Sequence, residues 1–295
     1  MREIEIDRAL ARIMLPERKR DGHKGDFGKL LVLGGSVGYT GAPYLAASAA
    51  EHSGCGLVYL GVPESIWAIE AAKCAGAMPF PLPEQDGRLC SASLDAMQDK
   101  LRTCNVIALG PGLGRGRETE KLVHALLCQA PQPLVLDADG LNALQGCTGR
   151  LLDRRGRVTI LTPHDGEFAR LSGRTLEELN SPDRADCACE FAERYDCCLV
   201  LKGHRTLVAL PDGTLFHNTT GCSALSKGGS GDVLTGLIAS LLCQGAGAAQ
   251  AAALGVWLHG RAGELLAQKM SAYCASPQEL LTQGLSLAFL ELLET

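Results

Sequence analysis

The sequence predicts an α/β protein whose sheet is covered by helices on both faces. Two observations carry this. Short apolar runs at 29–33, 57–62, 106–109, 134–137, 158–161 and 198–202 alternate with segments of helical character. Loops bearing glycine, proline or a lone acid follow these runs, at the strand ends where open α/β sheets bind ligands. The chain shows no internal repeat and no linker rich in Pro, Gly or Ser, so residues 1–295 read as a single domain.

In order along the chain, residues 1–22 read as a helix followed by a charged loop, with Pro16-Glu17-Arg18-Lys19-Arg20 as a solvated connection. His23-Lys24-Gly25-Asp26-Phe27-Gly28 leads into the first strand. The glycine loop Gly34-Gly35-Ser36-Val37-Gly38-Tyr39-Thr40-Gly41 comes next, then a helix from Ala42 to about Ser53 with Pro43 in its first turn. Its small residues Ala46, Ala47, Ala49 and Ala50 allow close packing against a sheet or a neighbouring helix. Gly34 to Gly38 also matches the G-x-S-x-G elbow of serine hydrolases. An elbow needs its helix to begin at the serine, whereas here a glycine and a proline intervene. His259, the late histidine on offer, has nothing distinctive around it.

A helix at 64–73, a short strand at 78–81, a turn at Asp86-Gly87 and a helix at 92–102 follow. Strand 106–109 runs into Gly110-Pro111-Gly112-Leu113-Gly114, which fails the dinucleotide fingerprint because its third glycine is out of place. After a helix at 119–128, strand 134–137 ends on Asp137-Ala138-Asp139-Gly140-Leu141-Asn142. An acid there either binds a metal or a hydroxyl, or caps the following helix. Strand 158–161 ends in Thr162-Pro163-His164-Asp165-Gly166-Glu167, where His164 is either a ligand contact or a structural histidine. A helical stretch at 176–195 precedes strand 198–202. Segments 206–210 and 214–217 then alternate around Pro211-Asp212-Gly213, a hairpin signal. Lys202 and Arg205, at the mouth of this strand set, either reach nucleotide phosphates or are ordinary solvated charges. Helices at 246–270 and 277–293 close the chain.

The most informative stretch is 218–236, NTTGCSALSKGGSGDVLTG. Gly228-Gly229-Ser230-Gly231 and then Asp232 precede an apolar run at helical spacing. The unpaired N–H groups of a helix start, its dipole and the permissive glycine backbone together make an anion site, best suited to phosphate. The dipole would keep Asp232 ionised at neutral pH. Asp232 either accepts a proton from a hydroxyl attacking a phosphoryl group, or caps its helix.

Composition narrows the class. A net charge of −5 lacks the basic face of a nucleic-acid binder, and 4% aromatic content argues against base-stacking platforms. No apolar run is long enough to span a bilayer, and the N-terminus carries no apolar signal core, so no membrane partner is expected. The 13 cysteines include no CxxC pair; Cys187, Cys189, Cys197 and Cys198 fall on a helix and the next strand without zinc-ligand spacing. They read as reduced, mostly buried cysteines of a cytoplasmic protein.

Taken together, HKGDFGKLLVLGGS, GAPYLAA, ALGPGLG, VLDADGLNAL, LTPHDGEFARL, VLKGHRT and LSKGGSGDVLTG resemble the ADP- or ATP-dependent (S)-NAD(P)H-hydrate dehydratases. Seven motifs in this order, from about His23 to Gly236, are far more specific than any one of them. The resemblance implies a ribokinase-like three-layer α/β/α sandwich with a mostly parallel central sheet. It implies a metabolite-repair lyase acting on NADHX and NADPHX: the C6 hydroxyl is phosphorylated by ADP or ATP, and phosphate is then eliminated. Asp232 would be the catalytic base. The hydrate would lie beside Ala42, Gly112, His164 and Asp232. The adenine nucleotide would lie on Lys202, Gly203, His204, Arg205 and Thr206 and on the cradle Gly229, Ser230 and Gly231. Magnesium would bridge the phosphates, with Asp137 as a candidate ligand. A homotetramer is implied, for which the Ala42 helix offers a small-residue surface. The short segment before His23 implies the dehydratase alone, with a separate epimerase serving the same pathway. One departure stands out: Thr220-Gly221-Cys222 has cysteine where the pattern has asparagine, and cysteine replaces neither its donor nor its acceptor well. The rivals are a small-molecule kinase of the same fold and a nucleotide-binding regulatory protein without turnover.

Overall fold

The computed structural model describes residues 2–179 and 183–294. Its strands are β1 (Arg2–Ile6), β2 (Lys29–Leu33), β3 (Leu57–Pro63), β4 (Met78–Leu82), β5 (Glu84–Gln85), β6 (Arg88–Leu89), β7 (Val106–Leu109), β8 (Leu134–Leu136), β9 (Thr159–Leu161), β10 (Cys198–Leu201), β11 (Leu207–Ala209) and β12 (Thr214–Asn218). One sheet runs in the order β1-β12-β11-β10-β9-β8-β7-β2-β3-β4, and β5 and β6 form a separate small ribbon. Among the described strands of the large sheet, β11 alone runs against its neighbours, which makes the sheet mostly parallel.

The layering follows from the period of a strand. Successive side chains point to opposite faces, so strands apolar at every position must be buried on both sides. Leu30, Val32, Val106 and Ala108 pack on one face, under helices Gly41–His52, Ser230–Cys243 and Ala248–Met270. Leu31, Leu33, Ile107 and Leu109 pack on the other, under helices Arg117–Gln129, Asp165–Ser172 and Arg184–Tyr195. The result is three layers with two apolar seams.

Four expectations are corrected. Residues 2–6 are a strand and not part of a helix; only Arg8–Met14 is helical. The strand pairs in parallel with β12, from Arg2 opposite Thr214 to Ile6 opposite Asn218. The 92–102 helix is two short ones, Ser93–Ala96 and Gln98–Thr103, separated by Met97. The strand-end loop expected at 162–167 stops sooner, because a helix begins at Asp165 and runs to Ser172. The closing helix at 277–293 contains a π-helical stretch at Leu280–Gly284. The expected helix at 176–195 is seen as Leu176–Leu179 and Arg184–Tyr195; residues 180–182 lie outside the described ones.

The small residues after Ala42 are buried within the chain. A side chain on Gly236 would start 2.0 Å from the Ala46 carbonyl oxygen and 2.9 Å from Ala49 Cβ, so helices Gly41–His52 and Ser230–Cys243 touch backbone to backbone. Ala46 and Ala49 thus make the close packing against a neighbouring helix that their small size allows, and Ala47 and Ala50 are buried in the same core. Gly236→Ala should destabilise the protein by about 3 kcal/mol, as overpacking does where neither backbone can yield. Urea denaturation would check this, and a change within about 0.5 kcal/mol would contradict the contact.

Candidate active site

The loops named by the sequence meet at the carboxyl ends of the parallel strands. Ser36, after β2, is 2% exposed and donates its hydroxyl to the Gly112 carbonyl at 2.8 Å. It pins the two glycine loops together, and this engagement leaves no support for a nucleophile elbow. Gly112, after β7, has φ +67°, and a side chain there would meet the Tyr39 carbonyl at 2.9 Å and Ala42 Cβ at 3.2 Å. Ala42 and Gly112 thus form one wall. Gly110 lies against the next strand end: its missing Cβ would sit 1.8 Å from the Asp137 carbonyl oxygen.

Asp137, 1% exposed, forms the floor. One carboxylate oxygen takes Lys202 Nζ at 2.9 Å and the other takes the Thr235 hydroxyl at 2.8 Å. It makes no capping bond to the helix after it. Each oxygen of Asp137, the candidate magnesium ligand, thus accepts one bond from a neighbouring side chain. Among the described residues no three His, Cys, Asp or Glu side chains converge as a metal cage requires. Asp139, two residues on, instead accepts from the Gly114 amide at 2.9 Å and from Asn142 Nδ2 at 3.0 Å, fixing the glycine loop.

His164, after β9, starts helix Asp165–Ser172. Its Nδ1 accepts from the amides of Gly166 at 3.0 Å and Glu167 at 3.3 Å, while Glu167 Oε2 accepts from the His164 amide at 2.9 Å. This reciprocal cap assigns the ring proton to Nε2. His164 is therefore a structural cap whose ring is still more than half exposed at the site. Glu167 was given no role from sequence, although a three-residue spacing after His164 is the signal of such a cap. It also faces Lys202 Nζ at 3.9 Å.

Lys202 ends β10. Its side chain is 19% exposed and lies among Asp137, Glu167 and Asp232. Burial alone would lower its pKa, but the surrounding carboxylates outweigh this and raise it, so it is a firm cation. Its Nζ sits 3.2 Å from where a side chain on Gly231 would begin, directly against the glycine cradle. Gly203, His204 and Arg205 follow as an exposed loop, closed by Thr206 Oγ1 on the Gly203 carbonyl at 3.1 Å. Arg184, not anticipated, ties this loop to the next: its guanidinium donates to Asp165 Oδ1 at 2.8 Å and to the Lys202 carbonyl at 3.1 Å.

The cradle itself begins helix Ser230–Cys243. Gly229 is its N-cap with φ +98°, which excludes the simple reading of Asp232 as the cap. Asp232 falls in the first turn, half-buried. The helix dipole alone would keep it ionised at neutral pH. Burial first, and the Asp137 carboxylate second, overcome that and push its carboxyl from the usual 3.8 up to about 7, with Lys202 pulling the other way. A carboxyl poised near neutrality beside a fixed cation and a row of helix-start amides can take a proton from a hydroxyl while the amides and the cation hold an anion.

The family model for NAD(P)H-hydrate dehydratase matches residues 30–284. The chain belongs to the NAD(P)H-hydrate dehydratase family. It is 45% identical over 262 residues to a bifunctional NAD(P)H-hydrate repair enzyme of Moorella thermoacetica, covering 88% of this chain and 49% of that protein. The chain thus spans about half the length of the bifunctional relatives it matches. It is 41% identical over 251 residues to the ADP-dependent (S)-NAD(P)H-hydrate dehydratase of Neisseria meningitidis, covering 84% of this chain and 80% of that one. The Bacillus subtilis ADP/ATP-dependent NAD(P)H-hydrate dehydratase, co-crystallised with ATP and magnesium, superposes with a TM-score of 0.80 at 32% identity, over 97% of both chains. The architecture of this NAD(P)H-hydrate dehydratase family member is the ribokinase-like one that the motifs implied. Its departure at Cys222 is accommodated by packing. Cys222 is extended and half-buried against the apolar cluster, while its neighbours carry the polar bonds: Thr220 Oγ1 donates to the Trp257 carbonyl at 2.8 Å and the Gly221 amide to Glu264 at 2.8 Å.

Proposed function

We propose that this chain dehydrates the S epimer of hydrated NADH and NADPH, using ADP or ATP as phosphoryl donor. The observation that carries the proposal is Asp232, with a carboxyl near neutrality, in the first helical turn after the glycine cradle and near the Lys202 cation that lies against Gly231. Hydroxide is a poor leaving group and phosphate a good one, so the reaction divides into two easier steps. Asp232 takes the proton of the C6 hydroxyl as that oxygen attacks the terminal phosphoryl group. Lys202 and the amides of Gly231 and Asp232 neutralise charge as it develops. Loss of phosphate and a ring proton then restores the dihydronicotinamide. Ala42, Gly112 and the exposed ring of His164 bound the space for the hydrate, and Gly203 to Thr206 with Gly229 to Gly231 the space for the nucleotide. Magnesium belongs to this reading as part of the nucleotide complex, because an ion that keeps several waters and binds phosphates needs no preformed protein cage. A homotetramer in the cytoplasm, supplied by an epimerase, completes the proposal. No described helix is long and apolar enough to cross a membrane.

The test is turnover. Protein mixed with NADH hydrate, magnesium and either nucleotide should restore NADH absorbance with one phosphate released per NADH, and the better nucleotide names the donor. Nucleotide binding with no NADH recovered would point instead to a kinase of the same fold. The pH profile is a further expectation. The base works deprotonated, so kcat/KM should fall about tenfold per pH unit below an apparent pKa near 7 and level off above it. A profile flat from pH 5 to 8 would exclude Asp232 as the base. Stability shifts the opposite way: a carboxyl raised in the folded state contributes fully below its unfolded value of 3.8, and that contribution is lost as pH rises through about 7.

A further inference from the structure

The Ala248–Met270 helix lies behind the nucleotide cradle and contributes no residue to the site described above, yet it carries a buried histidine aimed at that cradle. His259 is 8% exposed. Its Nε2 is 2.9 Å from the Ser230 carbonyl oxygen and 3.2 Å from Ser230 Oγ. A carbonyl can only accept, so Nε2 carries the proton and donates to it. Ser230 is the first residue of the Ser230–Cys243 helix, between Gly229 at φ +98° and Gly231. Glycine on both sides leaves this turn with little conformational preference of its own. It needs an outside anchor to keep its amides aimed at one point.

The same stretch of helix anchors the other segment of the motif. Asn218 Nδ2 donates to the Val256 carbonyl at 3.2 Å and Thr220 Oγ1 to the Trp257 carbonyl at 2.8 Å. At Gly260 a side chain would start 2.2 Å from Thr220 Oγ1, so this contact also excludes any larger residue. Val256, Trp257, His259 and Gly260 therefore grip both ends of the 218–230 loop. The ring stays neutral in this buried setting, its pKa pushed down to about 4 by burial.

We infer that His259 is a positioning residue of the nucleotide site, whose Nε2–H holds the Ser230 carbonyl and so fixes the anion-binding first turn. The inference rests on the proposed nucleotide site but not on the dehydration step. Two variants of similar polarity separate positioning from bulk stability. In His259→Gln the amide nitrogen can reach the position of Nε2; in His259→Asn it is one bond too short. Affinity for MgADP should be measured by calorimetric titration well below the melting temperature of each variant. The Gln variant should bind within about threefold of the native protein, and the Asn variant about tenfold or more weakly, the cost of a disordered charge-assisted contact. Equal affinity of the Gln and Asn variants would overturn the inference, as would native-like binding by both. If affinity follows His259 but no hydrate is dehydrated, the inference stands and the proposed reaction falls. If the native protein binds neither MgADP nor MgATP, both fall.

Discussion

Asp232→Asn is expected to lower kcat by about a thousandfold, the scale of a positioned general base, while MgADP still binds with near-native affinity. The two readouts separate because the residue is asked to do one thing. Asparagine has nearly the same shape but cannot accept the hydroxyl proton. The amides of the cradle, the Lys202–Asp137 pair at 2.9 Å and the Ser230 anchor do not depend on its charge. Removing a carboxylate that lies close to Asp137 even relieves a like-charge contact, so nucleotide affinity should not suffer. The pH profile of the residual activity should lose its limb near pH 7. Near-normal turnover in this variant would sink the mechanism. Equal loss of turnover and of MgADP binding would make Asp232 a binding residue rather than the base.

Lys202→Met carries the second large effect. Its ammonium is the cation shared by Asp137, Glu167 and Asp232, and it lies against the backbone of Gly231. Methionine keeps much of the stem and removes the charge. Loss of a preorganised cation at a transferring phosphoryl group should cost about a hundred- to a thousandfold in kcat/KM. Because Lys202 holds the Asp232 pKa down, its removal should also move the acid limb of the profile to higher pH. Asp137 would be left buried without its partner, so a loss of about 3 kcal/mol in stability is expected and assays belong well below the melting temperature. Lys202→Arg should not restore activity, since a planar guanidinium is far bulkier than the ammonium that fits beside Gly231. A variant with native pH dependence and only reduced stability would assign Lys202 to the fold alone.

What the sequence by itself determined was local. Apolar runs of strand length, separated by helical segments, gave the layers, because a strand buried on both faces must be apolar at nearly every position. Glycines at strand ends marked the site, because Gly112 at φ +67° and Gly229 at φ +98° hold conformations that other residues rarely adopt. The Gly-Gly-Ser-Gly-Asp stretch announced an anion cradle with one acid in its first turn. The order of the motifs was specific enough to indicate the family.

What only the tertiary structure decided was pairwise and distant. Strand β1 carries a period-two signal in Ile4 and Ile6 between Glu3 and Glu5, too short to stand on its own; it is held by the edge of β12, more than two hundred residues on, which offers backbone partners. The alanines of the Gly41–His52 helix suit contact with either a sheet or a neighbouring helix, and the bare backbone at Gly236 assigns Ala46 and Ala49 to the helix. Asp137 and Lys202 each have two readings from sequence, and their contact at 2.9 Å across the strand ends joins them in an ion pair that neither stretch reveals alone. His259 looked undistinguished because its meaning lies in a carbonyl 29 residues away. Most telling is Asp232. The helix dipole is a local effect and argues for ionisation, whereas burial and the carboxylate of Asp137 are supplied by the folded neighbourhood and outweigh it. Short-range backbone preference is written in consecutive residues, but the energy of a buried charge depends on everything within a few ångströms, and that is assembled only when the chain has folded.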